Sequence, residues 1–463
     1  MKLFFTIAIF AALALTVPAQ PGAGILPDSR GGRRVADYFT AFNSGDEQKL
    51  RAFFIENIAE SSLKQRPVEP RLEFHRQVRE DFRRVEMRRV VSVTDDEIDV
   101  LAQSVKGDWI AYSFMFEKQP DQKIAGMRIE PTEPPAEGSP AYAAPANGAE
   151  FIATAGKYFD DLAKAGAFSG TVLVAKDDKP VFSKAYGAAS TEYNVPNRID
   201  TIFNLGSINK IFTRIAIGRL VQEGKISFDD KLGKFLPEYP DKAAAEKVTV
   251  RHLVTMRSGI GDFFGEKFTN APKDKFRNNG DFIPLFADKP LAFEPGTSER
   301  YSNGGYILLG AIIEKVTGKS YYDYVRENIF KPAGMMNTDS YESDKMPANA
   351  ASGYTARAGG NGRVNNLFTR PARGSAAGGG YSTAEDLLKF SIALKTGKLV
   401  IPGDDGKPRT DGGLGIAGGS DGINALLLVN AQTGYTVIVL SNYDPPAAEK
   451  PGGQIRDWLK QLK

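Results

Sequence analysis

Gly206-Ser207-Ile208-Asn209-Lys210 runs directly into a helical pattern, with apolar residues at Ile211, Phe212, Ile215, Leu220 and Val221 marking one face. Ser207 therefore stands at or near a helix N-terminus, and Lys210 follows one turn later on the same face. A helix start offers an unpaired backbone N–H and a positive dipole end for a developing oxyanion. A lysine desolvated enough to lose its proton can take one from the serine hydroxyl. Ser-x-x-Lys alone is a common pattern, and Ser61-Ser62-Leu63-Lys64 matches it too. That second match runs toward Arg66-Pro67 rather than a helical pattern, so it is discounted.

The histidine count narrows the chemistry. Only His75 and His252 occur, and there is no cysteine. A zinc site built from His and Cys is thereby disfavoured, and thiol nucleophiles, disulfides and lipoprotein modification are excluded. Any serine–histidine–acid triad would have to use one of these two residues. His75 lies among Glu73, Arg76 and Arg79 and reads as a solvated helix residue.

The 463 residues suffice for two or three domains, and 25% charged residues with a net charge of +3 give no argument for nucleic acid. Residues 1–19 read as a signal peptide: Lys2, an apolar run from Leu3 to Val17, then a Val17-Pro18-Ala19 cleavage site. An uncleaved N-terminal anchor is the alternative, and the expected address is secreted or periplasmic. Residues 20–32 form a Pro/Gly-bearing tether. Residues 33–130 read as a small α+β domain. Val35, Tyr38, Phe39 and Phe42 mark one helix, Ser44-Gly45-Asp46-Glu47 a capping-box start for a second, and a third spans the seventies and early eighties. Strands follow near 87–94, 97–103, 108–117 and 122–129, with Ile110, Tyr112, Phe114 and Phe116 alternating against polar or smaller neighbours. Helices followed by a meander, opened by Tyr38-Phe39-Thr40-Ala41-Phe42-Asn43-Ser44-Gly45-Asp46, resemble the ketosteroid-isomerase-like cone fold. Residues 131–150, with five prolines amid Ala, Glu and Gly, have linker composition.

Residues 151–463 form the larger domain. One hairpin pairs 169–175 with 180–186, and another pairs 424–429 with 435–440; a closing helix runs from Gln454. The stretch between is mostly helical. One antiparallel sheet built from both ends of the domain, flanked by helices and carrying a helical insertion, is the predicted α+β fold. Ser207, at the start of that insertion, should sit where sheet and helices meet, a boundary that favours clefts.

Tyr301-Ser302-Asn303 is the sole Tyr-x-Asn in the chain. A tyrosine beside a lysine ammonium is expected to titrate below its usual range and share in proton transfer. The asparagine amide would hold a substrate carbonyl or the lysine. Read alone, the segment is also a turn before a helix over 304–316.

Together these motifs resemble the serine β-lactamase and penicillin-binding-protein superfamily, in its class C and esterase branch. Asn204 to Lys210 is similar to that family's nucleophile helix. Gly224 to Leu232, Leu236 to Pro240, Val248 to Ile260 and Ala377 to Leu387 resemble segments that follow it, over about 165–443 in all. The resemblance implies an acyl-enzyme on Ser207, with Lys210 and Tyr301 as the base system and Asn303 at the substrate. It also implies a structural His252 in a helix before Ser258-Gly259, and one oxyanion donor from the Ser207 N–H. The family's third motif, Lys/His-x-Gly, falls on Gly415 to Asn424, where Ile416 takes the place of the cation. Carboxylate-bearing substrates thereby lose an anchor. Residues 398–415 are shorter than usual and Gly/Asp-rich, so the edge strand with Gly418 and the second oxyanion N–H, assigned to Gly419, is expected to be altered. Such donors contribute on the order of 3 kcal/mol each.

Two rival motifs fail on context. Gly418-Gly419-Ser420-Asp421-Gly422 fits G-x-S-x-G, but a hairpin rather than a helix follows, and no histidine occurs after 252. Gly378-Gly379-Gly380 lacks the lysine of a phosphate loop and reads as a tight turn beside the cleft. The expected protein is a secreted serine hydrolase acting on small ester or amide acyl substrates, with no cofactor or metal and no membrane span in the mature chain. The alternatives are a non-catalytic relative that binds peptide, cell-wall or lipid ligands in the same cleft, and a cone domain that acts as a ligand carrier.

Overall fold

The computed structural model describes residues 26–462 apart from 95, 106, 119–120, 133–141, 357–361 and 410–412. The signal peptide, residues 20–25 of the tether and residues 133–141 of the linker lie outside the described residues. The chain divides into two compact units, Met1–Ala141 and Tyr142–Lys463. Among the described residues no helix is long and apolar enough to cross a membrane.

The first unit places α1 (Arg30–Ser44), α2 (Glu47–Asn57), α3 (Glu60–Gln65) and α4 (Val68–Phe82) before a meander of β1 (Val85–Val93), β2 (Glu97–Ser104), β3 (Trp109–Phe116) and β4 (Ile124–Thr132). Period-2 alternation puts Ile110, Tyr112, Phe114 and Phe116 of β3 into the core with Tyr38, Phe42 and Phe54. Three local expectations change. Ser44 ends α1, Gly45 follows it in the left-handed region, and Asp46 caps α2 by accepting from Gln48 N at 2.8 Å. The Ser61–Lys64 match lies within α3, where Lys64 is exposed and paired with Glu60 at 2.8 Å. His75 is buried, not solvated, because α4 turns it inward onto Tyr38 and Phe54. Its Nδ1 lies 2.7 Å from Arg71 O, and burial pulls its pKa down to about 4.

The second unit is built on a five-stranded antiparallel sheet. α5 (Gly148–Lys164) precedes the hairpin β5 (Gly170–Lys176) and β6 (Lys179–Tyr186); the helical body follows; then come β7 (Leu414–Ser420), β8 (Ile423–Val429) and β9 (Tyr435–Ser441). The spatial order is β7-β8-β9-β5-β6, so strands from both ends of the unit pair through β9 and β5, from Tyr435↔Lys176 to Ser441↔Gly170. The pleat sorts side chains to two faces. Val172, Val174, Val437 and Val439 pack under α5 and the C-terminal helix with Phe151, Phe159 and Trp458. Leu173, Ala175, Ile438 and Leu440 face the helical body. Both faces are covered, which is why the central strands read as nearly continuous apolar runs.

The altered edge strand expected at the third motif is not observed. β7 pairs with β8 in unbroken register from Leu414↔Val429 to Ser420↔Ile423. Ile416 packs against the apolar core of the helical body.

Candidate active site

Ser207 is the middle residue of a 3₁₀ turn, Gly206–Ile208, that leads into α6 (Asn209–Gln222). Of the first N–H groups in that turn, Gly206 N is capped by Asn204 Oδ1 at 2.9 Å and Ile208 N by Leu205 O at 3.2 Å. Among the described residues the Ser207 N–H has no such partner, which leaves it free for an incoming oxygen.

The edge strand reaches this turn through missing side chains. Gly206 has φ +50°, and a Cβ there would meet Gly419 N at 2.9 Å. A Cβ on Gly418 would lie 2.1 Å from Leu205 O and 2.6 Å from Ser207 N. Only glycine lets β7 run this close to the serine. Asn424 Nδ2 holds Gly418 O at 3.2 Å.

α6 fixes the loop on its other side. Asn209 Nδ2 donates to Ser375 O and Thr213 Oγ1 to Ala376 O, each at 2.7 Å, while Lys210 Nζ donates to Ala377 O. The Gly378–Gly380 stretch turns beside the cleft, with Gly379 N on Gly206 O at 3.2 Å and Leu205 N on Gly380 O at 2.7 Å.

Lys210 is buried beneath the serine. Its Nζ lies 3.2 Å from Ser207 Oγ and 2.7 Å from Asn303 Oδ1. It also sits 4.7 Å from the centre of the Tyr301 ring and 5.7 Å from that of Tyr306. Burial pulls its pKa down to about 7, against a smaller upward pull from Asp262. Near neutrality about half of the lysines are therefore uncharged and able to accept a proton.

The Tyr301 hydroxyl lies 2.5 Å from Ser207 Oγ, although the residue as a whole remains 54% exposed. The expectation of a lowered tyrosine pKa is corrected here. Desolvation pushes Tyr301 upward, the bond to Ser207 opposes this, and Asp262 adds to the rise. Its neighbour is a lysine that burial leaves only about half protonated near neutrality, which weakens the support for a phenolate. Tyr301 is a neutral phenol at neutral pH, suited to passing a proton rather than abstracting one.

Asn303 begins α7 (Asn303–Thr317), whose N-cap Ser302 accepts from Gly305 N at 2.9 Å. Both ends of the Asn303 amide are engaged: Oδ1 by Lys210, and Nδ2 by Asp262 Oδ2 at 2.8 Å. Of the two uses expected for this amide, holding the lysine is the one observed. Asp262 was not singled out from the sequence. It also accepts from Asn303 N at 3.1 Å and Phe264 N at 3.0 Å, and no spacing signal links it to a residue 41 positions away. His252 lies in the short helix Val250–Val254, where its Nδ1 accepts from Thr249 N at 3.3 Å.

Ser207, Tyr301, Asn303 and Gly419 open onto one cleft of about 690 Å3, walled in part by Phe263, Phe264, Phe268, Tyr341 and Phe368. Gly418 backs the serine, and Ile416 is not among the lining residues. A hydroxyl, a lysine about half uncharged near neutrality and a phenol in contact, with two backbone N–H groups nearby, can activate the hydroxyl and stabilise an oxyanion.

The family model described as Beta-lactamase matches residues 155–461. The chain belongs to the β-lactamase family. Penicillin-binding protein 4* of Bacillus subtilis is 35% identical over 191 residues, covering 41% of this chain and 42% of that protein. The human serine beta-lactamase-like protein LACTB, mitochondrial, is 29% identical over 304 residues, covering 51% and 54%. The chain thus spans about half the length of these relatives. Among solved structures, a penicillin binding protein from Bacillus halodurans superposes with TM-score 0.58 at 31% identity, over 65% of this chain and 99% of that one. The D-amino acid amidase of Ochrobactrum anthropi SV3, at 24% identity and TM-score 0.56, shares the β-lactamase-family fold over 67% of this chain and 98% of its own. The α+β class and the superfamily resemblance read from the motifs both agree with these likenesses.

Proposed function

We propose that the protein is a serine hydrolase that cleaves small ester or amide acyl substrates through an acyl-enzyme on Ser207. The observation that carries this reading is the buried Lys210, its pKa pulled down to about 7, within 3.2 Å of Ser207 Oγ. Neutral Lys210 takes the hydroxyl proton as Oγ attacks the acyl carbon, and the carbonyl π pair moves onto its oxygen. The N–H groups of Ser207 and Gly419 receive that oxyanion. Collapse re-forms the carbonyl and expels the alcohol or amine, which takes its proton from Lys210 through the Tyr301 hydroxyl. Water then attacks the ester on Ser207 by the same route, regenerating the serine. Asn303 and Asp262 hold Lys210 in place throughout. We further propose that residues 1–19 direct the chain out of the cytoplasm and are removed.

The test is labelling with a fluorophosphonate probe, read by intact mass and peptide mapping, beside turnover of a p-nitrophenyl ester. One adduct on the Ser207 peptide is expected, with both adduct and turnover lost in Ser207→Ala. Folded wild-type protein that neither reacts nor turns over would refute catalysis and leave a ligand-binding cleft as the function.

A further inference from the structure

Two phenylalanines that line the Ser207 cleft are open to water: Phe368 is 85% exposed and Phe264 52%. Apolar residues scattered singly over a surface are ordinary. These two are not scattered, because with Phe263, Phe268 and Tyr341 they belong to the lining of one cleft, and a contiguous exposed apolar patch marks a binding surface. Phe264 packs on Phe263 with ring centres 4.4 Å apart and on Phe268 at 5.4 Å. Among the described residues Phe368 stacks on no other ring.

The backbone beneath both rings is fixed, and each is tied to a different part of the catalytic apparatus. Phe264 N donates to Asp262 Oδ1 at 3.0 Å, while the other oxygen of that carboxylate holds the Asn303 amide against Lys210. Lys273 Nζ pins the chain behind the wall, donating to the carbonyls of Phe268, Thr269 and Ala271 at 2.7, 2.9 and 2.8 Å. Phe368 lies inside a turn closed by Thr369 N on Asn366 O at 3.1 Å. Asn366 N donates to Gly353 O at 2.9 Å, and its Nδ2 donates to Asp421 O at 2.7 Å, two residues beyond Gly419. One phenylalanine is thereby registered to the group that holds the lysine, and the other to the strand that carries the oxyanion donor. Covering such a surface with ligand is favourable, because apolar area leaves water and no backbone has to be ordered first.

We propose that Phe264 and Phe368 are specificity-determining residues of this cleft, and that the acyl group transferred to Ser207 is an extended apolar chain. The proposal rests on the hydrolase reading and specifies its substrate class. With the acyl carbon on Ser207 Oγ and its oxygen on the N–H groups of Ser207 and Gly419, the chain runs along the aromatic wall to the two exposed rings. A methylene removed wholly from water is worth a factor of ~4 in binding, and one half covered by an open wall a factor of ~2.

The acetate and octanoate esters of p-nitrophenol, which differ by six methylenes, test this. kcat/KM for each is measured with wild type, Phe264→Ala, Phe368→Ala and Phe368→Leu, below the concentration at which the octanoate aggregates. The octanoate-to-acetate ratio cancels the concentration of active enzyme, so partial misfolding of a variant leaves it unchanged. Wild type is expected to favour the octanoate by ~60-fold, a factor of ~2 for each methylene. The ratio should fall at least ~5-fold in each alanine variant, as two or three methylenes lose their cover, and by less in Phe368→Leu, which keeps an apolar side chain. A wild-type ratio of about one or below, with both esters cleaved, would overturn the apolar-chain specificity and leave the hydrolase intact. Ratios within about twofold of wild type in both alanine variants would overturn the role of the two phenylalanines. Failure of wild type to cleave either ester would overturn the hydrolase reading, and this proposal with it.

Discussion

Protonating Lys210 should switch the site off, and the structure fixes where along the pH axis this happens. With its pKa pulled down to about 7 by burial, the neutral fraction is about 90% at pH 8, about 50% at pH 7 and about 1% at pH 5. Since kcat/KM reports the free enzyme, its acid limb should fall tenfold per unit below an inflection near pH 7. Asp262 pulls the other way by favouring the ammonium through the Asn303 amide, whose two contacts are 2.7 and 2.8 Å. Two unit charges roughly 6–7 Å apart at an effective dielectric of about 20 interact by ~2–3 kcal/mol. Asp262→Asn should accordingly move the inflection down by about one to two pH units. The assay is initial-rate hydrolysis of p-nitrophenyl butyrate from pH 4.5 to 10, read at the isosbestic wavelength of the product and corrected for spontaneous hydrolysis. Two results would refute the reasoning. A profile that keeps rising above pH 9 would assign the base to a Tyr301 phenolate. An Asp262→Asn inflection that moves upward would mean that the carboxylate does not act on the lysine as argued.

Tyr301→Phe should lower kcat by ~10²–10⁴-fold, the range for loss of a proton-transfer partner. Its melting temperature should stay close to wild type, because the residue is 54% exposed; a matching loss of stability would mean that the hydroxyl is a packing element instead. Gly418→Ala drives a methyl to within 2.1 Å of Leu205 O, so β7 must retreat from the serine. A kcat loss of ~10²–10³-fold is expected from the displaced oxyanion donor, and near-normal kcat would show that this strand contributes none. His75 should remain neutral down to about pH 4, which NMR can follow in a chain with only two imidazoles. Unfolding restores an ordinary pKa near 6.5, so the unfolded state binds the extra proton and this group withdraws stability as pH falls from about 6.5 to about 4. An imidazole resonance assigned to His75 that titrates at pH 6 or above would contradict its burial.

What the sequence by itself determined was whatever depends on near neighbours along the chain. The Ser-x-x-Lys spacing puts Lys210 under Ser207 wherever that helix lies, as the 3.2 Å contact shows. Alternation over 109–116 marked a strand because a pleat has a period of two. The scarcity of His and Cys bounded the chemistry before any fold was known. Charge states were a different matter, and there the reading erred twice. Tyr301 was expected to titrate low beside a charged Lys210, and His75 to be solvated among Glu73, Arg76 and Arg79. A pKa is set by spatial neighbours and by the water they displace. Lys210 is desolvated by Tyr306, Asn303 and Ala377, which lie 93 to 167 positions away. The edge strand taught the same lesson: the short 398–415 segment suggested a distorted β7, while register with β8 and the bare glycines against Leu205 and Ser207 keep it regular. Only the tertiary structure decided that Ile416 packs against the core rather than lining the cleft. Spacing along the chain can place a side chain on a helix, but solvation and pairing are settled by which distant segments close over it.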